Sequence, residues 1–81
     1  GLLTVGKNCA DAFLRLYYLE RACTYQVKAL SAGIENLNMP HQGTPEHTAE
    51  MVQWSFDGGA GKLSWPALLR KLDRVNPGYD A

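Results

Sequence analysis

Residues 1–33 of this chain read GLLTVGKNCADAFLRLYYLERACTYQVKALSAG, and this stretch decides the fold. It begins with a short apolar run containing the β-branched Thr4 and Val5 and closed by a glycine, which predicts a β-strand over about 1–6. Apolar residues then recur every three or four positions, which predicts a helix over about 9–32 with one stripe facing a core. The residues of this stripe are Cys9, Ala12, Phe13, Leu16, Leu19, Cys23, Val27 and Leu30.

Capping signals mark both ends of the predicted helix. Asn8 is a favoured N-cap residue, and Asp11 follows three positions later in an arrangement like a capping box. Gly33 fits the position just beyond the C-terminus, where a left-handed conformation is common.

Two further helices are predicted downstream of a loop rich in Asn, Gly and Pro. Thr44 as a cap, with Pro45 at the first helical position, predicts a helix over about 45–57. Ser64, with Pro66 in the first turn, predicts another over about 64–75. The chain is therefore expected to be mostly α, with one N-terminal strand and three helices in a single partial domain over 1–81.

The predicted strand has no mate in the sequence, because no second strand signal of similar quality follows it. A buried strand with unpaired N–H and C=O groups is costly. We therefore expect the sheet to be completed either by a missing N-terminal part of the same domain or by a second copy in a homo-oligomer. A chain that is a piece of a longer protein and a complete short gene product are both compatible with this pattern.

Composition excludes several partner classes. Among 81 residues, Lys and Arg total 8 and Asp and Glu total 8, so the net charge is zero. This predicts neither nucleic-acid binding by phosphate neutralisation nor binding to a membrane surface. No signal peptide is visible, so we expect a cytoplasmic protein. Cys9 and Cys23 would lie about 21 Å apart along one helix, too far to bridge, and are predicted to be buried thiols.

Residues with catalytic or metal-binding chemistry are sparse. His41 and His47 are six residues apart and lack the spacing of a helical metal pair, whereas zinc takes three or four ligands. Gly6 and Lys7 lack the upstream glycines of a phosphate loop. Glu20 and Arg21 form either an ion pair at a subunit contact or a surface pair. The sequence predicts no catalytic, cofactor-binding or metal-binding residue in this chain.

Three motifs resemble the C-terminal part of class II aldolase/adducin domains. They are GLLTVGKNCADAF (1–13), LYYLERACTYQVKAL (16–30), which Ala32 and Gly33 follow, and WPALLRKLDRVNPGY (65–79). The resemblance implies a three-layer αβα fold in which this chain forms the C-terminal third. The N-terminal strand would then belong to the central sheet of that fold.

The resemblance also implies a function. Enzymatic members of the family bind a divalent metal, usually zinc, through three histidines and act on phosphorylated sugars. The parent protein is expected to be a metal-dependent aldolase or epimerase for small sugar-phosphate-like carbonyl compounds, with this chain inactive alone. In the family the third metal histidine usually stands directly before the residue that matches Gly1, so no family ligand is carried over to this chain. The alternative is a non-catalytic, adducin-like assembly module.

Overall fold

The computed structural model describes residues 1–81 as three α-helices joined by short connections. Helix α1 spans Cys9–Leu30, α2 spans Thr44–Asp57 and α3 spans Ala60–Val75, with one turn of 3-10 helix at Ile34–Asn36 between α1 and α2. The mostly helical class is confirmed. None of the helices is both long enough and apolar enough to cross a lipid bilayer.

The strand predicted over about 1–6 is not formed, because the structure contains no strand. A strand needs a neighbouring segment to share its backbone hydrogen bonds. Residues 1–6 instead contact α1: the Thr4 hydroxyl donates to the Ala12 carbonyl at 2.8 Å, and the Val5 carbonyl accepts from Arg15 at 3.0 Å. The β-branched residues that indicated a strand thus meet the first turns of a helix.

The N-cap of α1 follows the sequence signal, whereas its C-terminus does not. The Asn8 side chain accepts a hydrogen bond from the Asp11 amide at 2.8 Å, and Asn8 itself is extended, with φ −152° and ψ 173°. The helix ends at Leu30, two residues before the predicted end at residue 32. Ser31 closes the last turn through its N–H to the Lys28 carbonyl, and Gly33 then reverses the chain with φ 96°.

The starts of α2 and α3 differ from the predictions. Helix α2 is capped by Gly43, with φ 88°, so Thr44 is its first residue rather than its cap. Helix α3 begins at Ala60, four residues before Ser64, because Gly59 in the left-handed region completes the reversal in two residues after Asp57. Pro66 therefore lies inside α3 rather than in its first turn. At this position it supplies no N–H for the carbonyl one turn earlier.

The two later helices pack on the N-terminal half of α1. Phe13 of α1 meets Trp65 of α3 edge to face, with ring centroids 5.6 Å apart. Phe56 of α2 is 8% exposed, and the other buried residues are Asp11 and Gly61. The core is therefore confined to the point where the three helices meet.

The rest of the chain is open. Its radius of gyration is 16.3 Å, whereas a compact domain of this length has about 12 Å. Its accessible surface is 6980 Å², whereas about 4,800 Å² is usual for a folded monomer of this mass. The chain thus exposes a surface that most domains of its size bury.

Only the N-terminal part of the apolar stripe predicted to face a core does so: Phe13 packs on Trp65, whereas the stripe residues from Leu16 onward are exposed. Ala10, Asp11 and Leu14 face α3 and α2. At about 100° per residue, the C-terminal part of the predicted stripe points roughly the opposite way. We call it the free stripe; its residues are Leu16 (37% exposed), Leu19 (38%), Cys23 (exposed), Val27 (70%) and Leu30 (40%). Cys9 is exposed as well, so the prediction of two buried thiols is wrong for this structure.

Candidate functional site

The candidate site is the junction of residues 1–6 with the three helices, which we call the N-terminal junction. Asp11 lies at its centre and is only 6% exposed. A Cβ built on Gly61 would lie 2.5 Å from Asp11 Oδ1 and 3.0 Å from the Ala10 carbonyl carbon, so α3 approaches α1 as closely as glycine permits. Because Asp11 is in the first turn of α1 and touches the first turn of α3, its carboxylate lies at the positive ends of two helix dipoles.

Arg15 connects three parts of the N-terminal junction. Its Nη1 donates to the Val5 carbonyl at 3.0 Å, and its Cζ lies 4.6 Å from the centroid of the Phe56 ring. A planar guanidinium can make an in-plane hydrogen bond and stack on an aromatic face at the same time. Arg15 therefore holds residues 1–6 and α2 against α1.

A groove beside Arg15 runs between α1 and α2. It encloses about 470 Å³ and is largely apolar. Its lining consists of Leu14, Arg15, Tyr18, Val52, Ser55, Phe56 and Ala60. Tyr18 lines this groove beside α2, and its ring meets the ring of its neighbour Tyr17 edge to face, with centroids 5.5 Å apart.

Glu20 and Arg21 do not pair with each other. The Arg21 Cζ lies 5.5 Å from the Tyr17 ring centroid, and hydrogen bonding to the Tyr17 side chain raises the pKa of the guanidinium above its usual value. Glu20 instead accepts a hydrogen bond from the Thr24 hydroxyl at its own carbonyl, at 3.1 Å. The prediction of an ion pair between Glu20 and Arg21, whether at a contact or on the surface, is not realised.

Both histidines are exposed and flank the start of α2. The His41 carbonyl accepts from the Thr44 amide at 3.1 Å, and the His47 amide donates to the Gly43 carbonyl at 3.0 Å, so both residues serve the start of α2 through their backbones. No three His, Cys, Asp or Glu side chains lie together in a way that could hold a metal ion. The residues of this chain therefore do not fit a zinc site.

The remaining candidates have structural roles. Lys7 forms an exposed ion pair with Asp57, with Nζ and Oδ1 3.9 Å apart. The cluster of Arg70, Lys71 and Arg74 is exposed on α3. The N-terminal junction has the chemical groups to position the chain. These groups are a carboxylate, a guanidinium and a hydroxyl, and each holds one segment against another.

Arg15, Asp11 and Gly61 are the junction residues whose roles the sequence pattern missed. Asp11 was interpreted as a capping residue, and the cap is formed by Asn8 as expected, but the burial of Asp11 depends on α3. A glycine near a helix start often marks a close approach of backbones, so Gly61 offered a signal. Nothing in the local sequence pointed from Arg15 to Phe56, because these residues are 41 positions apart.

Comparisons with known proteins find relatives whose similarity covers nearly the whole chain. No protein-family profile matches it, and no solved structure matches it. A provisionally named aldolase class 2 protein of Pseudomonas aeruginosa is 49% identical over 82 residues, covering 98% of this chain and 31% of the relative. A provisionally named aldolase class 2 protein of Caulobacter vibrioides is 40% identical over 79 residues, covering 98% of this chain and 30% of the relative.

A third relative belongs to a different functional group. Human β-adducin is 34% identical over 89 residues, covering 98% of this chain and 12% of the relative. The chain thus spans about a third of the length of the bacterial relatives, and less of β-adducin. The similarity extends across α1, α2 and α3 rather than being confined to one motif.

Proposed function

Because this chain belongs to the class II aldolase/adducin family, as a C-terminal segment of that family's domain, we propose that it forms part of a metal-dependent lyase or epimerase. The proposed substrates are small phosphorylated or hydroxylated carbonyl compounds, the class that the family resemblance implies. The observation that carries the proposal is the 49% identity, across 98% of this chain, to a protein named for class 2 aldolase.

The metal in this proposal belongs outside the 81 residues. His41 and His47 both serve the start of α2, and no third ligand accompanies them. We therefore assign no ligand and no catalytic group to this chain, and we expect the chain alone to be inactive.

The part we assign to this chain is positioning. Thr4 and Arg15 hold residues 1–6 against α1 through hydrogen bonds of 2.8 and 3.0 Å. In the family a metal-ligand histidine usually stands directly before the residue matching Gly1. In a protein with that histidine, the N-terminal junction would fix the direction of the backbone that leads to it.

A paired measurement tests this proposal. We expect the purified chain, equilibrated with zinc and desalted, to retain no stoichiometric metal and to cleave no aldol. A longer gene product that contains the chain should retain metal and cleave or epimerise a phosphorylated sugar. Stoichiometric zinc on the 81-residue chain would contradict the assignment of ligands elsewhere. A longer product without metal or turnover would contradict the enzymatic function itself.

A non-catalytic assembly module is the second candidate. The similarity to β-adducin over 98% of the chain favours it, as does the exposed apolar surface of α1. The coding sequence upstream separates the two candidates. A His-x-His pair together with a histidine directly before Gly1 indicates the enzyme, whereas their absence indicates the assembly module.

A further inference from the structure

Residues 1–6, which we call the strap, are attached to the rest of the chain by few contacts. No backbone N–H or C=O group of the strap forms a hydrogen bond with another backbone group. Its three large apolar side chains are 49–87% exposed, so the burial of apolar surface contributes little to holding it. Two hydrogen bonds hold it instead, from the Thr4 hydroxyl to the Ala12 carbonyl and from Arg15 to the Val5 carbonyl.

The end of the strap nearest to α1 is fixed. A Cβ built on Gly6 would lie 2.7 Å from the Ala12 amide nitrogen and 3.1 Å from the Asp11 Cβ, so the backbone here touches the first turn of α1. Residues 1–5 can therefore move away from α1 while Gly6 stays in contact with it.

The hydrogen bond from Arg15 depends on the orientation of its guanidinium. All the N–H donors of a guanidinium lie in one plane, so the bond of 3.0 Å to the Val5 carbonyl requires that plane to be aimed correctly. No carboxylate aims it, because the ion pair of the chain joins Lys7 and Asp57. The ring of Phe56 lies against the guanidinium instead, with its centroid 4.6 Å from Cζ, well within the range of a cation–π contact.

Phe56 ties this orientation to the position of α2. It is in the last turn of α2 and is 8% exposed, so the ring is displaced when that turn is displaced. The guanidinium then loses the surface on which it stacks, and its bond to Val5 is no longer directed. The bond between Thr4 and Ala12 joins the strap to α1 alone and has no such dependence. One of the two hydrogen bonds of the strap is thus controlled from α2.

From these contacts we propose that Phe56 and Arg15 are positioning residues that couple the strap to α2. The strap is docked while the last turn of α2 is in place and is released when that turn moves. Because a coupling free energy is reciprocal, the docked strap also stabilises the position of α2. The coupling depends on contacts within this chain, whereas what the docked strap positions in a longer protein rests on the proposed function.

The mobility of a nitroxide label on the strap measures the coupling. Leu3→Cys, in a background of Cys9→Ser and Cys23→Ser, places the sole thiol on the most exposed side chain of the strap. Electron paramagnetic resonance should resolve a docked and a released component. Phe56→Leu should lower the ratio of docked to released strap about threefold to tenfold, because it removes the cation–π contact and weakens the hydrogen bond that this contact orients.

A neighbouring aromatic residue provides the matched control. Trp54→Leu replaces an exposed ring on the same helix and should leave the ratio of docked to released strap unchanged. An unchanged ratio in Phe56→Leu overturns the proposal, and so does an equal fall in Trp54→Leu.

A label on α3 separates release of the strap from loss of the fold. Leu63→Cys, in the same background, is an exposed position on α3, and the mobility of its label should be the same with and without Phe56→Leu. Equal loosening at the two labelled positions overturns the proposal, because the substitution would then act on the whole chain. None of these measurements involves metal or substrate, so their failure is distinguishable from failure of the proposed enzymatic function.

A double-mutant cycle tests whether Phe56 acts through Arg15. Arg15→Lys keeps the charge but removes the plane that stacks on the ring, so it should also release the strap. Adding Phe56→Leu to Arg15→Lys should change the ratio by less than about twofold, because the route from the ring to the strap is already gone. Effects that multiply instead overturn the proposal. Because Arg15→Lys leaves the ring of Phe56 in the core, it tests the strap even where Phe56→Leu does not fold.

Discussion

Arg15 lies over the ring of Phe56, with its Cζ 4.6 Å from the ring centroid, while its Nη1 donates to the Val5 carbonyl at 3.0 Å. One side chain thus joins α2 and residues 1–6 to α1. In a chain with so small a core, this contact should account for a measurable part of the stability.

Replacing Arg15 should therefore weaken the fold. We expect Arg15→Ala to lower the free energy of unfolding by about 1–2 kcal/mol, because it removes a charge-assisted hydrogen bond and a cation–π contact. Urea unfolding followed by circular dichroism at fixed protein concentration measures the loss. Arg70→Ala, at an exposed position of α3, is the matched control and should change stability by less than about 0.5 kcal/mol. Equal effects of the two substitutions would show that Arg15 contributes nothing specific.

Gly61 should not tolerate a side chain. A Cβ there would lie 2.5 Å from Asp11 Oδ1, so Gly61→Ala should cost about 1–3 kcal/mol through overpacking, despite the better helix propensity of alanine. Gly58→Ala is the control, because Gly58 has φ −77° and its Cβ would make only contacts of 3.5 Å. Thermal unfolding should show a lower midpoint for Gly61→Ala and an equal or higher one for Gly58→Ala. A Gly61→Ala protein as stable as the unchanged chain would mean that α1 and α3 do not meet there.

The N-cap of α1 should contribute about as much to stability as N-caps in other proteins do. Asn8→Ala removes the acceptor of the Asp11 amide and should destabilise the chain by about 1 kcal/mol. Asn38→Ala, in the exposed connection before α2, tests the effect of losing an asparagine without a cap. Helix content and unfolding midpoint by circular dichroism should fall in the first variant and stay constant in the second.

Tyr79 should titrate at higher pH than an ordinary tyrosine. Partial burial raises its pKa, and the nearby carboxylates of Asp73 and Asp80 raise it further. The folded state thus favours the neutral phenol, so this contribution to stability is complete below about pH 10, the usual pKa of an unfolded tyrosine, and is lost as the pH rises through the raised pKa. Absorbance at 295 nm follows the titration.

Two substitutions assign and explain that titration. Tyr79→Phe should remove the phase at highest pH, and Asp73→Asn should move it downward, since Asp73 raises the pKa of Tyr79 more than Asp80 does. Glu46→Gln, in the first turn of α2, should leave it in place. A high-pH phase that survives Tyr79→Phe would assign the raised pKa to a different tyrosine.

Local signals predicted the helices well, because caps and breakers act within a few residues. Asn8 caps α1, as the sequence indicated, whereas Gly33 lies two residues beyond the Ser31 cap and, with φ 96° and ψ 141°, is not in the left-handed region expected there. The start of α3 was misplaced because Pro66 resembles a first-turn proline, whereas the reversal at Gly59 and the close contact of Gly61 with α1 extend the helix backward. That extension depends on a contact between distant segments.

The side of α1 that packs could not be read from its periodicity. The pattern located an apolar stripe, but it did not say what would cover it. Within this chain, the smaller Ala10 and the glycine of α3 determine where the helices meet, because they allow the closest approach. The prediction of a strand at residues 1–6 was wrong for a related reason. β-branched residues favour a strand only where neighbouring strands are present to pack against. The N-terminal junction depends on Arg15 and Phe56, which no local pattern connects.

The close approach at Gly61 makes the region of Asp11 the point about which α1 would rotate. From Asp11 to Leu30 the helix extends about 28 Å, so a rotation of about 5° about this point displaces the far end by about 2.5 Å. Sub-ångström adjustments between Asp11 and Gly61 are thereby magnified into movements as large as a methyl group at Leu30. The geometry of the contact between Gly61 and Asp11 consequently determines the direction of the C-terminal half of α1.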